Sequence, residues 1–106
     1  MSFVNLDSSE MLDKLFEQSN DAPVVLFKHS ITCPISTDAS SQMSIVNAPV
    51  NLVVVQTSRQ ISNEIETRTS VRHQSPQVLI LKNGKPVYSA SHYDITADAV
   101  EKKKKN

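Results

Sequence analysis

Glycine, cysteine and tryptophan are almost missing from this chain: its 106 residues include one glycine, one cysteine and no tryptophan, and aromatic residues make up 5%. Each scarcity excludes a class of function. A glycine-rich phosphate cradle needs several positions where bare backbone can approach the ligand, so a nucleotide loop of that kind is ruled out. One thiol forms no internal disulfide and supplies no cysteine-rich zinc site. Single-strand nucleic-acid surfaces interleave basic stripes with stacking aromatics, which are too few here, so no nucleic-acid partner is expected. No apolar run approaches the roughly 20 residues of a spanning helix, and the opening MSFVNLDSSE has neither the basic nor the apolar region of an export signal. The expectation is a cytoplasmic protein with no membrane partner.

Charge is balanced but unevenly spread. Lys102 to Lys105 hold 4 of the 11 basic residues, so the rest of the chain carries seven basic against eleven acidic side chains. The run reads as a basic tail over residues 102–106, frayed into solvent. The length suits one domain, residues 1–106, with a core large enough to fold alone.

Apolar patterning predicts alternating strands and helices. Phe3 to Leu6 reads as a short edge strand, and Asp7 followed three residues later by Glu10 resembles a capping box. Met11, Leu12, Leu15 and Phe16 recur at helical spacing, predicting a helix over 8–19 that Pro23 terminates. Val24 to Phe27 is a continuous apolar run, bounded by Lys28-His29-Ser30, as expected of a strand buried on both faces. A helix over 35–43 rests largely on Pro34 as a first-turn residue. A second β-branched run, 50–55, precedes a helix opened near Ser58 and marked by Ile61 and Ile65. Gln77–Leu81 and Pro86–Ala90 flank Asn83-Gly84, the pair best able to adopt the positive φ values of a tight hairpin turn. A last helix spans about Thr96–Glu101. The order β-α-β-α-β-α-β-β-α implies an α/β fold, a central mixed sheet flanked by helices, with a terminal β-hairpin and a C-terminal helix.

Cys33 stands out by its context. It follows a buried strand and immediately precedes Pro34, the order in which open α/β sheets bring a loop and a helix N-terminus to the carboxyl edge of a central strand. Thiolates are stabilised by the unsatisfied N–H groups of such a terminus. Ser36 is placed to donate to the sulfur, to satisfy the first helical turn, or to do both, and Thr32 flanks the cysteine on the other side. His29 and His92, both near predicted strand ends, are candidate thiolate-tuning residues, with solvated or hydrogen-bonded histidines as the plain alternative. No histidine pair has close ligand spacing, so no metal site is expected. Arg59, Arg68 and Arg72 are candidate carboxylate contacts, weighed against ordinary scattered surface charge.

Val24-Val-Leu-Phe27, Thr32-Cys-Pro-Ile-Ser36, Ser75-Pro76-Gln77 and Lys82-Asn-Gly84 together resemble the thioredoxin superfamily in order and spacing. The Cys-Pro-Ile-Ser motif is similar to the glutaredoxin site with its second cysteine replaced by Ser36. Adding Phe27-Lys-His-Ser30, Ser62-Asn63, His73-Gln-Ser-Pro-Gln77 and Ser91-His92 with Ile95-Thr96, the chain resembles the monothiol bacilliredoxin-like family of bacillithiol-using bacteria over about residues 3–100. It lacks the resolving thiol of dithiol relatives and the lysine three positions before the cysteine found in many glutaredoxins.

The resemblance implies a thioredoxin-like fold and a thiol-disulfide oxidoreductase. Cys33 would be its nucleophile, and Thr32, Pro34, Ser36, Ser75 and Pro76 its substrate-binding positions. It implies a cis Ser75–Pro76 bond, with Ser75 offering main-chain hydrogen bonds to an extended substrate. The expected reaction removes bacillithiol, or another low-molecular-weight thiol, from S-thiolated client proteins. That small thiol acts as co-substrate, and no bound cofactor is expected. Two other classes compete: an iron-sulfur cluster carrier of the monothiol-glutaredoxin type, and a non-catalytic thioredoxin-like binding module.

Overall fold

Two apolar surfaces alternate along the strand at the centre of the molecule, and a helix layer covers each. The computed structural model describes residues 3–32 and 34–105. Its elements are β1 (Phe3–Asn5), α1 (Ser9–Gln18), β2 (Val24–His29), α2 (Pro34–Met43), β3 (Val50–Val54), α3 (Arg59–Thr69), β4 (Gln77–Lys82), β5 (Lys85–Ser91) and α4 (Ala97–Lys105). The strands form one sheet in the order β1-β3-β2-β4-β5, with β1, β3 and β2 parallel and β4 and β5 antiparallel. The expected mixed sheet with a terminal hairpin is therefore present.

Side chains of successive strand residues point to opposite faces, so the run from Val24 to Phe27 feeds two cores. Val25 and Phe27 pack with Val78, Ile80, Ala39, Met43 and Val100 beneath α2 and α4. Val24 and Leu26 pack with Leu79, Leu81, Leu12, Leu15, Ile61 and Ile65 beneath α1 and α3. Full burial of one such side chain contributes about 1.5–3 kcal/mol, which is why an unbroken apolar run marks the central strand. The only buried interruption in β3 is Asn51, whose amide donates to Val25 O at 3.0 Å and so is satisfied between the strands.

Several boundaries differ from the sequence reading. The cap of α1 is Ser8, whose Oγ accepts from Met11 N at 3.2 Å, one position later than the Asp7–Glu10 box. β2 continues through Lys28 and His29 because both polar side chains find partners inside the protein. The lysine run is not a frayed tail. Lys102 to Lys105 complete the last turns of α4, where Lys104 pairs with Glu101 at 2.8 Å and donates to Asn47 O at 2.8 Å. Cations at a helix C-terminus also complement its dipole.

The hairpin turn takes the expected form, with Asn83 at φ 53° and Gly84 at φ 73°. Ser19 anchors it from the end of α1: its carbonyl accepts from Asn83 N at 2.7 Å and its Oγ from Gly84 N at 2.8 Å. Pro86 lies in β5 at the sheet edge, where a missing N–H is tolerated, next to a register shift at Ile80/Leu81. Among the described residues no helix is long and apolar enough to cross a membrane.

Candidate functional site

The carboxyl end of β2 is where the chain leaves the sheet toward Cys33, which itself lies outside the described residues. The segment before it is held by side chains reaching from two sides. Gln56, just past β3, accepts from Ile31 N at 3.2 Å and donates to Ser30 Oγ at 2.8 Å and Thr32 Oγ1 at 3.3 Å. One amide thus ties down three consecutive loop residues. From the other side Ser36, completely buried in the first turn of α2, accepts from Ser30 N at 2.9 Å.

Ser36 Oγ also lies 2.8 Å from His29 Nδ1. Burial lowers the pKa of His29 below the ordinary histidine value, so near neutral pH the ring is unprotonated. Ser36 Oγ, which accepts from Ser30 N–H, and His29 Nδ1 share one further hydrogen, carried by the hydroxyl or by the ring according to the tautomer. The Ser36 hydroxyl satisfies the turn and the strand end, the second of the roles expected for it; its relation to the sulfur lies outside the described residues. His29 acts on Ser36, with its ring 5.7 Å from that of Phe27.

Pro34 opens α2, as expected. Thr32 and Pro34 are both exposed. The Ser75–Pro76 peptide is cis, as the family resemblance implied. Since Lys28 is paired with Gln77 in the antiparallel ladder, Pro76 follows on beside the end of β2. Pro76 O accepts from His92 N at 3.1 Å. Ser75 Oγ and Gln77 Oε1 are buried and have no hydrogen-bond partner among the described residues.

Not every candidate converges here. His92, in the left-handed region at φ 54°, meets Pro76 through its backbone N–H. It also lines a shallow cleft with Asp38, Gln42, Tyr93 and Thr96 between α2 and the turn after β5. Arg68 is committed elsewhere: it pairs with Asp13, lies 3.0 Å from Glu64 and stacks 5.1 Å over the Phe16 ring. Arg59 and Arg72 are exposed. Among the described residues no three His, Cys, Asp or Glu side chains gather into a potential metal site.

Sequence reasoning misses Gln56, and it meets Lys28 and His73 only inside family motifs, with no role assigned to either. A glutamine after a strand carries no distinctive signal. Lys28 reads as the polar end of a strand, yet it is 0% exposed, and only its position between buried Phe27 and the loop hints at an interior place.

A parallel-antiparallel sheet flanked by helices, with a cis proline opening the hairpin strand beside the β2–α2 loop, defines a thioredoxin-fold protein. The solved structures agree. A protein provisionally described as an oxidoreductase with a thioredoxin fold matches with a TM-score of 0.86 and 30% identity, over 94% of this chain and 91% of the other. Malassezia sympodialis thioredoxin matches with a TM-score of 0.75 at 18% identity over 99% and 92%. The Schistosoma mansoni thioredoxin pre-protein gives 0.71 at 17% over 99% and 97%. At these lower identities the likeness is one of fold. Residues 4–100 match the family described as monothiol bacilliredoxin BrxC, and the chain belongs to that family. Family and fold together support a thiol-redox role.

Proposed function

We propose that this protein is a monothiol thiol-disulfide oxidoreductase that removes bacillithiol from protein mixed disulfides through Cys33. The observation that supports this best is the meeting of two segments at one sheet edge. Ser30–Thr32 and the first turn of α2, on either side of the lone cysteine in the chain, are held by Gln56 and Ser36, and the cis Ser75–Pro76 segment borders the same strand end. An extended client would hydrogen-bond to the Ser75 main chain, while the exposed neighbours of Cys33 leave room for a bulky mixed disulfide.

In the reaction the Cys33 thiolate attacks the bacillithiol sulfur of the mixed disulfide. The old S–S bond breaks, the client leaves as a thiolate and takes a proton from solvent, and Cys33 carries the bacillithiol. With serine at position 36 no internal thiol resolves this adduct. The thiolate of a second bacillithiol molecule attacks it, regenerating Cys33 and carrying the oxidising equivalent away as the symmetrical small-molecule disulfide. A reducing compartment such as the cytoplasm suits a lone thiol that must stay free between turnovers.

The test uses a synthetic peptide whose single cysteine is bacillithiolated, mixed with catalytic amounts of the full chain and excess bacillithiol. Release of free peptide thiol should accelerate with wild type and fall to the uncatalysed rate with Cys33→Ser. Equal rates for the two chains would overturn the proposal.

A further inference from the structure

Beneath the Ser75–Pro76 segment lies a cluster of polar groups that the exchange chemistry does not use. Lys28 projects from β2 into the α3 side of the sheet and is completely buried. Its Nζ donates to Ser62 O at 3.0 Å and to His73 Nδ1 at 3.1 Å. Ser62 Oγ is 3.3 Å from the same ring nitrogen. The backbone N–H of His73 donates to Glu66 Oε2 at 2.7 Å, and Gln77 Nε2 donates to Arg72 O at 2.9 Å. The stretch leading to the cis bond is therefore held from below by β2, α3 and β4, and Lys28 is the charged centre of the grip.

A buried ammonium is costly, so a chain that keeps one has an apolar alternative of similar size that would cost less. What the lysine provides is geometry. Two charge-assisted bonds fix the distance between α3, the sheet and His73, and a hydrogen bond to a charged group is roughly twice as strong as a neutral one.

We propose that Lys28 is a positioning residue for the client-binding segment: by holding His73 and α3 together it keeps residues 73–76 in the shape that accepts an extended mixed disulfide. The inference rests on the function proposed above and concerns binding, with the sulfur chemistry left to Cys33.

The electrostatics supply a signature that a purely structural contact would lack. Burial pushes the Lys28 pKa down to about 8, against the opposing pull of the Glu66 carboxylate. The charged groups facing the cluster are Glu66 and Arg59 from α3 and His73 from the loop, whose own pKa is lowered by burial and by the Lys28 charge. The grip is charged below about pH 8 and becomes that of a neutral amine above it.

Single-turnover transfer from the bacillithiolated peptide to the full chain separates half-saturation from maximal rate. In wild type the half-saturating peptide concentration should rise as pH passes about 8, while the maximal rate follows only the Cys33 thiolate. Lys28→Met should show half-saturation raised about tenfold at neutral pH, the scale expected for losing bonds to a charged group, with no further rise at alkaline pH. Glu66→Gln keeps an acceptor for His73 N–H but removes the anion that favours charged Lys28, so its rise should move to lower pH. This variant also serves if Lys28→Met fails to fold. Amide resonances of Arg72, His73, Gln74 and Ser75 should titrate near pH 8 in wild type and shift acidward in Glu66→Gln. Variants that keep wild-type half-saturation and its pH profile, or that lose maximal rate instead, overturn the inference. A wild-type chain that accepts no bacillithiol overturns the proposed function, and the amide titration then decides by itself whether Lys28 governs the segment.

Discussion

Ser36 Oγ sits 2.8 Å from His29 Nδ1 while accepting the Ser30 N–H at 2.9 Å. One buried hydroxyl thus joins the first turn of α2 to the end of β2 and to the loop between them. Ser36, the residue that stands where the glutaredoxin-like motif would have its second cysteine, is here a structural latch.

The latch predicts a specific outcome for Ser36→Ala. The Ser30 N–H loses its acceptor and His29 Nδ1 its partner, so stability should fall by about 1–3 kcal/mol, the range for leaving a buried polar group unsatisfied. The Cys33 thiol pKa, followed by thiolate absorbance between pH 6.5 and 9, should change little. A rise of a full unit in that pKa would show that the hydroxyl serves the sulfur instead.

Acid should loosen the same latch. His29 and His73 both have pKa values lowered below the ordinary 6.5, chiefly by burial. The folded protein therefore binds fewer protons than the unfolded chain as pH drops below that value, and stability present above about pH 6.5 is progressively lost beneath it. Melting temperatures measured from pH 7.5 to 5 should decline, and His29→Gln should show a shallower decline. An identical slope in the variant would show that His29 does not contribute to the acid sensitivity.

Lys28 contributes with the same sign, in a more alkaline window. Its folded pKa of about 8 lies below the ordinary 10.5, so the unfolded chain holds the proton more tightly and stability rises with pH through this window. The limiting slope for one group is about 1.4 kcal/mol per pH unit. Denaturant titrations from pH 7.5 to 10 should show wild type gaining stability relative to Lys28→Met. A constant difference would mean that Lys28 is not buried as a cation.

The framework is legible because its signals are local. Asn83-Gly84 permits one kind of turn, and the unbroken run at Val24–Phe27 marks a strand covered on both faces. Helix α2 is harder to read for a physical reason: its buried stripe is Ser36, Ala39 and Met43, and a serine at the first position erases the apolar periodicity. The end of β2 is hidden in the same way. Lys28 and His29 look like loop residues until Ser62, His73 and Ser36 arrive as partners, and those partners come from elements up to 45 residues away in sequence. The lysines of α4 look like a solvated tail because nothing local announces that Asn47 O awaits Lys104. The candidate site is read from the motifs at Cys33-Pro34 and Ser75-Pro76, and nothing local points to Gln56, whose role exists only once β3 lies beside β2.

The proposed chemistry is read most directly from the intact mass of the chain after brief mixing with one equivalent of bacillithiolated peptide, with no added reducing thiol. The expected product is a single bacillithiol adduct on Cys33 together with an equal amount of free peptide thiol, and no adduct on Cys33→Ser. A chain that stays unmodified, or that acquires the peptide in place of bacillithiol, would contradict the proposed transfer.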